Sequence, residues 1–115
     1  MKRTVVTGLG IVSSIGNNLS EVTQSLKNSS SGITLNQTNK AMGLRSHISG
    51  AVKGIDLKEM IDRKTYRFMG DAAAYGFLSA IQAIEDSDLS EELISNNRTG
   101  LIMGSGGASS EDQID

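Results

Sequence analysis

The chain has 115 residues, no Cys, no Pro, no Trp and a single His, with 11 basic against 13 acidic side chains. This length permits one small domain or a part of a larger one. The absence of Cys excludes a disulfide framework, a thiolate nucleophile and every cysteine-based metal site. One His excludes a two-histidine site within the chain, and a formal net charge of −2 gives no global attraction to nucleic acid. Function must therefore reside in local motifs.

The chain opens with a nearly continuous apolar stretch, residues 4–12, which predicts a buried central strand. Gly8 and Gly10 within it indicate a bulge or a close backbone approach. Gly8 and Gly10 interrupt the apolar stretch before it reaches the length of a signal peptide or a membrane span. We therefore expect a cytoplasmic protein with no membrane partner. The spacing of Asn18 and Glu21 is that of a capping box, which predicts a helix that begins at Asn18.

The middle of the chain alternates between polar and helical stretches. Residues 28–40 are mostly polar and predict a connection with at most a short strand at residues 33–35. Partial alternation over residues 44–53 predicts an edge strand. Asp62 can cap a long helix that reaches about Glu85, and the many small residues inside this helix indicate close packing against another backbone.

Ser90 predicts the start of a short helix whose first turn is acidic, as the helix dipole favours. The apolar residues 101–103 then predict a second short buried strand, which Gly104–Gly107 follow at once. Two strands with helical crossovers predict an α/β protein and the beginning of a layered sheet. The chain has too few strands to complete that sheet.

Two motifs that suggest chemistry have simpler structural interpretations. Gly8, Gly10 and Ser13 lie between a strand and a helix, as in a dinucleotide-binding fingerprint, but the third position is not Gly or Ala. No acidic residue ends a second strand near residues 30–36, so a core strand bent at its glycines is favoured. His47 follows a Ser and could serve as its base, yet no nearby carboxylate would orient it, which favours a structural or surface role.

Gly104–Gly107 offers backbone amides that could line a pocket or cradle an anion. It lacks the Lys and Ser/Thr of a phosphate-binding loop. A tight turn or a pocket wall is therefore the preferred interpretation.

Arg63, Lys64 and Arg67 form the only concentrated positive patch in the sequence. Arg63 and Arg67 are one helical turn apart on the same face. Arg45 and Lys53 are candidates to extend this patch. One interpretation is a solvated helix face balanced by nearby Asp side chains, and the other is a docking site for an acidic partner.

Taken together, these motifs resemble the β-ketoacyl-acyl carrier protein synthases, specifically synthase I of bacterial fatty acid synthesis. The opening Thr-Val-Val-Thr-Gly-Leu-Gly-Ile-Val-Ser-Ser and the late Gly-Leu-Ile-Met-Gly-Ser-Gly-Gly are the most specific matches. The resemblance runs the length of the chain, and its matching segments are residues 4–18, 31–33, 45–47, 61–64, 67–69, 82–84 and 100–107. Only residues 51–56 differ in spacing from the synthase pattern.

The resemblance implies a thiolase-like fold, a five-layer α-β-α-β-α sandwich of two similar halves that forms a homodimer in the full-length enzyme. Members of the family are considerably longer than this chain. We therefore expect residues 1–115 to be the N-terminal segment of a β-ketoacyl synthase N-terminal domain, a single partial domain with the sandwich incomplete.

The resemblance also implies an activity, the condensation of acyl thioesters with malonyl-acyl carrier protein in fatty acid biosynthesis. The family uses a Cys nucleophile and two His that the resemblance places beyond residue 115, so this chain is expected to hold no catalytic residue and to be inactive alone. It implies no metal and no resident cofactor, since phosphopantetheine enters on the acyl carrier protein.

Four residues match positions with a binding role in the family. Arg63, Lys64 and Arg67 match the basic helix that faces the acidic acyl carrier protein, and Gly107 matches a residue that lines the acyl-chain pocket. The alternative is a noncatalytic fragment or interaction module whose basic patch binds an acidic partner.

Overall fold

The computed structural model describes residues 2–107. The chain divides into two compact units, Met1–Ile11 with Asp56–Asp115 and Val12–Ile55. The elements in chain order are α1 (Leu19–Lys27), β1 (Thr34–Leu35), α2 (Gln37–Ala41), β2 (Ile48–Ser49), α3 (Leu57–Met60), α4 (Arg63–Tyr66), α5 (Asp71–Ser87) and α6 (Glu91–Ile94).

Helix α1 in the unit Val12–Ile55 begins where the capping box predicts. The Asn18 side chain accepts a hydrogen bond from the Glu21 backbone N–H at 2.9 Å. The Glu21 carboxylate accepts from the backbone N–H of Asn17 at 2.8 Å, one residue before the cap. Two N–H groups at the helix start are thereby satisfied, and Val22 is buried on the inner face of α1.

A short antiparallel pair completes this unit. Strand β1 pairs with β2 with Leu35 opposite Ile48, so the short strands predicted within residues 33–35 and 44–53 are confirmed at two residues each. Helix α2 follows β1 directly, because the Asn36 side chain accepts from the Asn39 backbone N–H at 3.0 Å. The prediction of a connection over this polar stretch missed α2.

The predicted single helix from Asp62 to about Glu85 is wrong, because two helices occupy that range. Asp62 does cap a helix, but that helix, α4, ends at Tyr66. Gly70 then takes an extended conformation as the N-cap of α5. Glycine is a poor residue inside a helix, and an acidic residue directly after it, Asp71, favours a new helix start.

Helix α5 packs closely against residues 8–11, as its many small residues predict. A Cβ atom added to Gly10 would overlap the Ser79 carbonyl oxygen and lie 2.7 Å from the Ala83 nitrogen. A Cβ on Gly8 would likewise overlap the Ala83 carbonyl oxygen. The two glycines therefore permit backbone-to-helix contact that any larger residue would prevent.

The same segment is attached to α5 by two hydrogen bonds. The Leu9 backbone N–H donates to the Asp86 carboxylate at 2.8 Å. The Ile11 backbone N–H donates to the Gln82 side-chain carbonyl at 3.1 Å. The Asp86 and Gln82 side chains thus accept two backbone hydrogen bonds that a neighbouring strand would accept in a sheet.

The predicted buried strands at residues 4–12 and 101–103 are wrong as elements of this structure. Neither segment forms a strand, and Val5 is 82% and Ile102 96% exposed. Within residues 2–107 the only sheet is the pair β1–β2. A strand forms when a neighbour takes its backbone donors and acceptors, and the described residues supply no such neighbour to either segment. The described part is therefore mainly helical, without the layered sheet.

Candidate functional site

Helix α3 supplies one side of the candidate site. It begins after Asp56, whose carboxylate accepts from the Lys58 backbone N–H at 2.9 Å. Leu57 and Ile61 are buried and fix the underside of this short helix in the core of its unit. Lys58, between them in sequence, remains exposed. The sequence analysis missed α3, although Asp56 is a typical N-cap residue.

Helix α4 supplies the other side. The Asp62 carboxylate accepts from the backbone N–H groups of Lys64 at 3.0 Å and Thr65 at 3.2 Å. Asp62 is thereby engaged with the backbone at the helix start, where a negative charge is most favourable. Arg63, Lys64 and Arg67 are all exposed.

The structure brings the three predicted cations together around an open cleft of about 770 Å³. We call it the basic cleft, and its lining residues are Lys58, Arg63, Lys64, Tyr66 and Arg67. Lys58 is an addition that the sequence analysis did not identify. Arg45 and Lys53 belong to the other unit, and their contribution to a basic surface stays a prediction.

The basic cleft carries positive charge that nearby acids do not neutralise. Within residues 2–107, no carboxylate lies within 4.0 Å of the charged groups of Lys58, Arg63, Lys64 or Arg67. The Arg67 guanidinium lies 5.7 Å from the centre of the Phe68 ring, within the range of a cation–π contact. Phe68 is itself 85% exposed, so an apolar surface adjoins the cations.

One tyrosine of α5 has a raised pKa. Burial raises the pKa of the Tyr75 phenol, and the charges of Asp71 and Tyr66 raise it further. Each of these influences disfavours the phenolate.

Gly107, the predicted acyl-pocket residue, lines a second and smaller cleft of about 340 Å³. The other lining residues are Gly70, Ala72, Ala73, Met103, Gly104 and Ser105. The Ser105 hydroxyl donates to the Gly107 carbonyl oxygen at 2.7 Å and tightens the loop. The structure thus agrees with the interpretation of Gly104–Gly107 as a pocket wall, and the small side chains leave room for an apolar chain.

The remaining sequence motifs show no reactive arrangement. His47 is exposed, and its backbone carbonyl accepts from the Asn36 N–H at 2.6 Å. Residues 2–107 contain no cluster of three or more His, Cys, Asp or Glu side chains that could hold a metal ion. Over the same residues, every helix is too short or too polar to cross a lipid bilayer.

Comparison with known proteins identifies the family. Residues 1–115 match the family described as "Beta-ketoacyl synthase, N-terminal domain". The chain is 57% identical over 115 residues to 3-oxoacyl-[acyl-carrier-protein] synthase 1 of Escherichia coli K12 and 53% identical over 114 residues to the synthase 1 of Haemophilus influenzae. Synthase 2 of Vibrio cholerae is 33% identical over 105 residues, which cover 91% of this chain and 25% of that relative.

Each synthase 1 match covers 99% of this chain but 28% of the relative, so the chain spans about 28% of the length of these relatives. The chain belongs to the β-ketoacyl synthase family, as the match of residues 1–115 to the model of its N-terminal domain shows.

Proposed function

We propose that this chain is part of a 3-oxoacyl-acyl carrier protein synthase, an acyltransferase that condenses an acyl thioester with malonyl-acyl carrier protein in fatty acid biosynthesis. The single observation that supports this activity is the match of residues 1–115 to the synthase family, together with the names of the relatives. This match favours the synthase over a noncatalytic interaction module.

The reaction needs a nucleophile that these 115 residues do not contain. The family resemblance implies that a Cys thiolate accepts the acyl group, and the chain has no Cys. In the complete enzyme, a Cys would accept the acyl group, and two His would polarise the thioester carbonyl and assist decarboxylation of the malonyl group. We accordingly propose a homodimeric, cytoplasmic enzyme with a thiolase-like five-layer sandwich, to which this chain contributes a binding surface.

The basic cleft is the proposed contact for the acyl carrier protein. Arg63, Lys64 and Arg67 are exposed, close together and without a carboxylate partner within residues 2–107. Because the chain as a whole is slightly acidic, attraction of an acidic carrier protein must come from such a local concentration of charge. Charges of this kind accelerate association and fix the orientation of the partner.

A chimera tests this proposal, with residues 1–115 in place of the matching segment of the E. coli synthase 1. We expect the double variant Arg63→Glu/Arg67→Glu to raise the KM for malonyl-acyl carrier protein about tenfold at low salt, with little change in kcat. The increase should shrink as salt is added, because the Debye length falls from about 30 Å at 0.01 M to about 8 Å at 0.15 M.

A short thioester without the carrier protein is the control substrate, and its turnover should change less than twofold. An equal loss with both substrates would mean that the two arginines support the fold. Unchanged kinetics with both substrates would mean that the cations form only a solvated surface. A chimera without any condensing activity would contradict the proposed activity itself.

The smaller cleft is the proposed contact for the acyl chain. A Cβ on Gly107 would meet no atom within 4 Å, so a larger side chain fits there without displacing the backbone. We expect Gly107→Leu to lower kcat/KM for long acyl substrates more than for acetyl substrates, because the new side chain occupies the cleft. Gly106→Leu is the matched control, since Gly106 has equally open surroundings and does not line the cleft.

A further inference from the structure

We propose that Lys58 is a further carrier-binding residue of the basic cleft, presented by α3 to the acidic surface of the acyl carrier protein. This inference rests on the proposed function. It concerns a residue outside the synthase-like segments 61–64 and 67–69, so the family resemblance does not assign it a role. The structure alone places it beside Arg63, Lys64 and Arg67.

The position of Lys58 is fixed by its neighbours. The Asp56 carboxylate holds the Lys58 backbone N–H at 2.9 Å, and the flanking Leu57 is 9% exposed. Ile61, at the end of α3, is 2% exposed. Because this anchoring restrains the backbone of α3, Lys58 is held at the edge of the cleft that it lines. Its exposed side chain keeps its rotamer freedom and can reach an acidic group of a partner.

The charge around Lys58 is suited to an acidic partner. Four of the five residues that line the cleft are cations, and the acidic neighbours Glu59 and Asp62 are not among them. Asp56 and Asp62 both accept hydrogen bonds from helix backbones. No carboxylate within residues 2–107 pairs with Lys58. The exposed cations of the cleft are therefore available to an acidic partner.

The shape of the cleft favours a protein surface over a small anion. Its cations lie on two separate helices around an open volume of about 770 Å³, and all four are exposed to solvent. A small anion is held tightly where several donors converge in a dry pocket, because water screens charges weakly there. An acidic helix can instead reach both α3 and α4 and place its apolar side chains against the exposed Phe68.

The test measures binding of the carrier protein to the chimera at low salt. Lys58→Glu should raise the Kd about three- to tenfold, mainly through a slower association rate. Lys58→Arg should bind like the parent, since it keeps the charge. Arg98→Glu is the matched control because Arg98 is exposed in the same unit, does not line the cleft and changes the net charge by the same amount.

Lys58 could contact either the acidic protein surface or the phosphate group of the phosphopantetheine arm. Binding of carrier protein with and without this arm distinguishes the two. An equal effect of Lys58→Glu on both forms supports contact with the acidic protein surface. An effect confined to the form with the arm would overturn this inference in favour of the phosphate group.

The same experiment distinguishes failure of this inference from failure of the proposed function. If Arg63→Glu/Arg67→Glu weakens binding while Lys58→Glu behaves like Arg98→Glu, then Lys58 has no role and the proposed docking site stands. If none of these variants changes the Kd of a chimera that binds the carrier protein, both proposals are wrong about the location of the contact. A chimera that binds no carrier protein contradicts the proposed function.

Discussion

Residues 4–12 and residues 101–103 are the two apolar stretches that predict buried strands, yet the structure treats residues 8–11 of the first stretch differently from residues 101–103. Residues 8–11 lie against α5 and donate two backbone hydrogen bonds to its side chains. Residues 101–103 are 59–96% exposed, although a Cβ added to Gly76 of α5 would overlap the terminal methyl group of Met103. The difference shows that residues 8–11 are held by specific contacts with a helix, and that an apolar sequence alone does not bury a segment here.

The largest loss of stability should come from placing a side chain between residues 8–11 and α5. Gly10→Ala places a methyl group on the backbone of Ser79 and Ala83, so the segment must separate from the helix. We expect a loss of about 3 kcal/mol or more in the chimera, measured by thermal unfolding. Gly100→Ala, beside residues 101–103, meets no atom within 4 Å and should change stability by less than about 0.5 kcal/mol. Equal stability of the two variants would contradict the described packing.

A polar substitution at Ile102 should affect stability differently in the 115-residue chain and in the chimera. Ile102→Asn in the 115-residue chain should leave stability unchanged, because Ile102 is 96% exposed, and it should reduce self-association in sedimentation experiments. In the chimera, where the proposed sandwich covers this segment, the same change should cost about 2 kcal/mol through an unpaired buried amide. An equally small effect in both contexts would argue against the proposed sandwich.

The smallest effect should come from one side chain that anchors residues 8–11. Asp86→Ala removes the acceptor of the Leu9 N–H, an exposed hydrogen bond worth about 1 kcal/mol. Hydrogen exchange at the Leu9 amide should become faster, while exchange at Leu101 should not change. Glu85→Ala is the control, because Glu85 is exposed on the same helix and its side chain makes no hydrogen bond within residues 2–107. Similar exchange rates at the Leu9 amide in both variants would show that Asp86 does not anchor residues 8–11.

The features that the sequence predicted correctly depend on nearby residues. Asn18, Asp62 and Ser90 each begin a helix, and the first two accept hydrogen bonds from residues two or three positions ahead. A cap residue and the residue that donates to it can be recognised by their spacing in the sequence alone. The break before α5 was missed because the helical pattern of the sequence continues through residues 67–70, although α4 ends at Tyr66 and Gly70 is the N-cap of α5. The strands at residues 4–12 and 101–103 were predicted wrongly because strand formation depends on distant partners.

In the candidate site, too, features set by nearby residues could be predicted from the sequence and features set by packing could not. Arg63, Lys64 and Arg67 could be predicted because they share one short helix and one sequence motif. Lys58 could not, since its place in the cleft depends on the turn between α3 and α4 and on the burial of Leu57. That arrangement follows from packing, which spacing does not reveal.

The central claim is that the basic cleft binds the acyl carrier protein, and hydrogen–deuterium exchange of the chimera tests it most directly. Addition of carrier protein at low salt should slow exchange in residues 57–67, which contain α3 and α4, and leave α1 unchanged. The protection should disappear in the Arg63→Glu/Arg67→Glu variant and at high salt. Unchanged exchange in residues 57–67 under conditions in which the carrier protein is bound would contradict the claim.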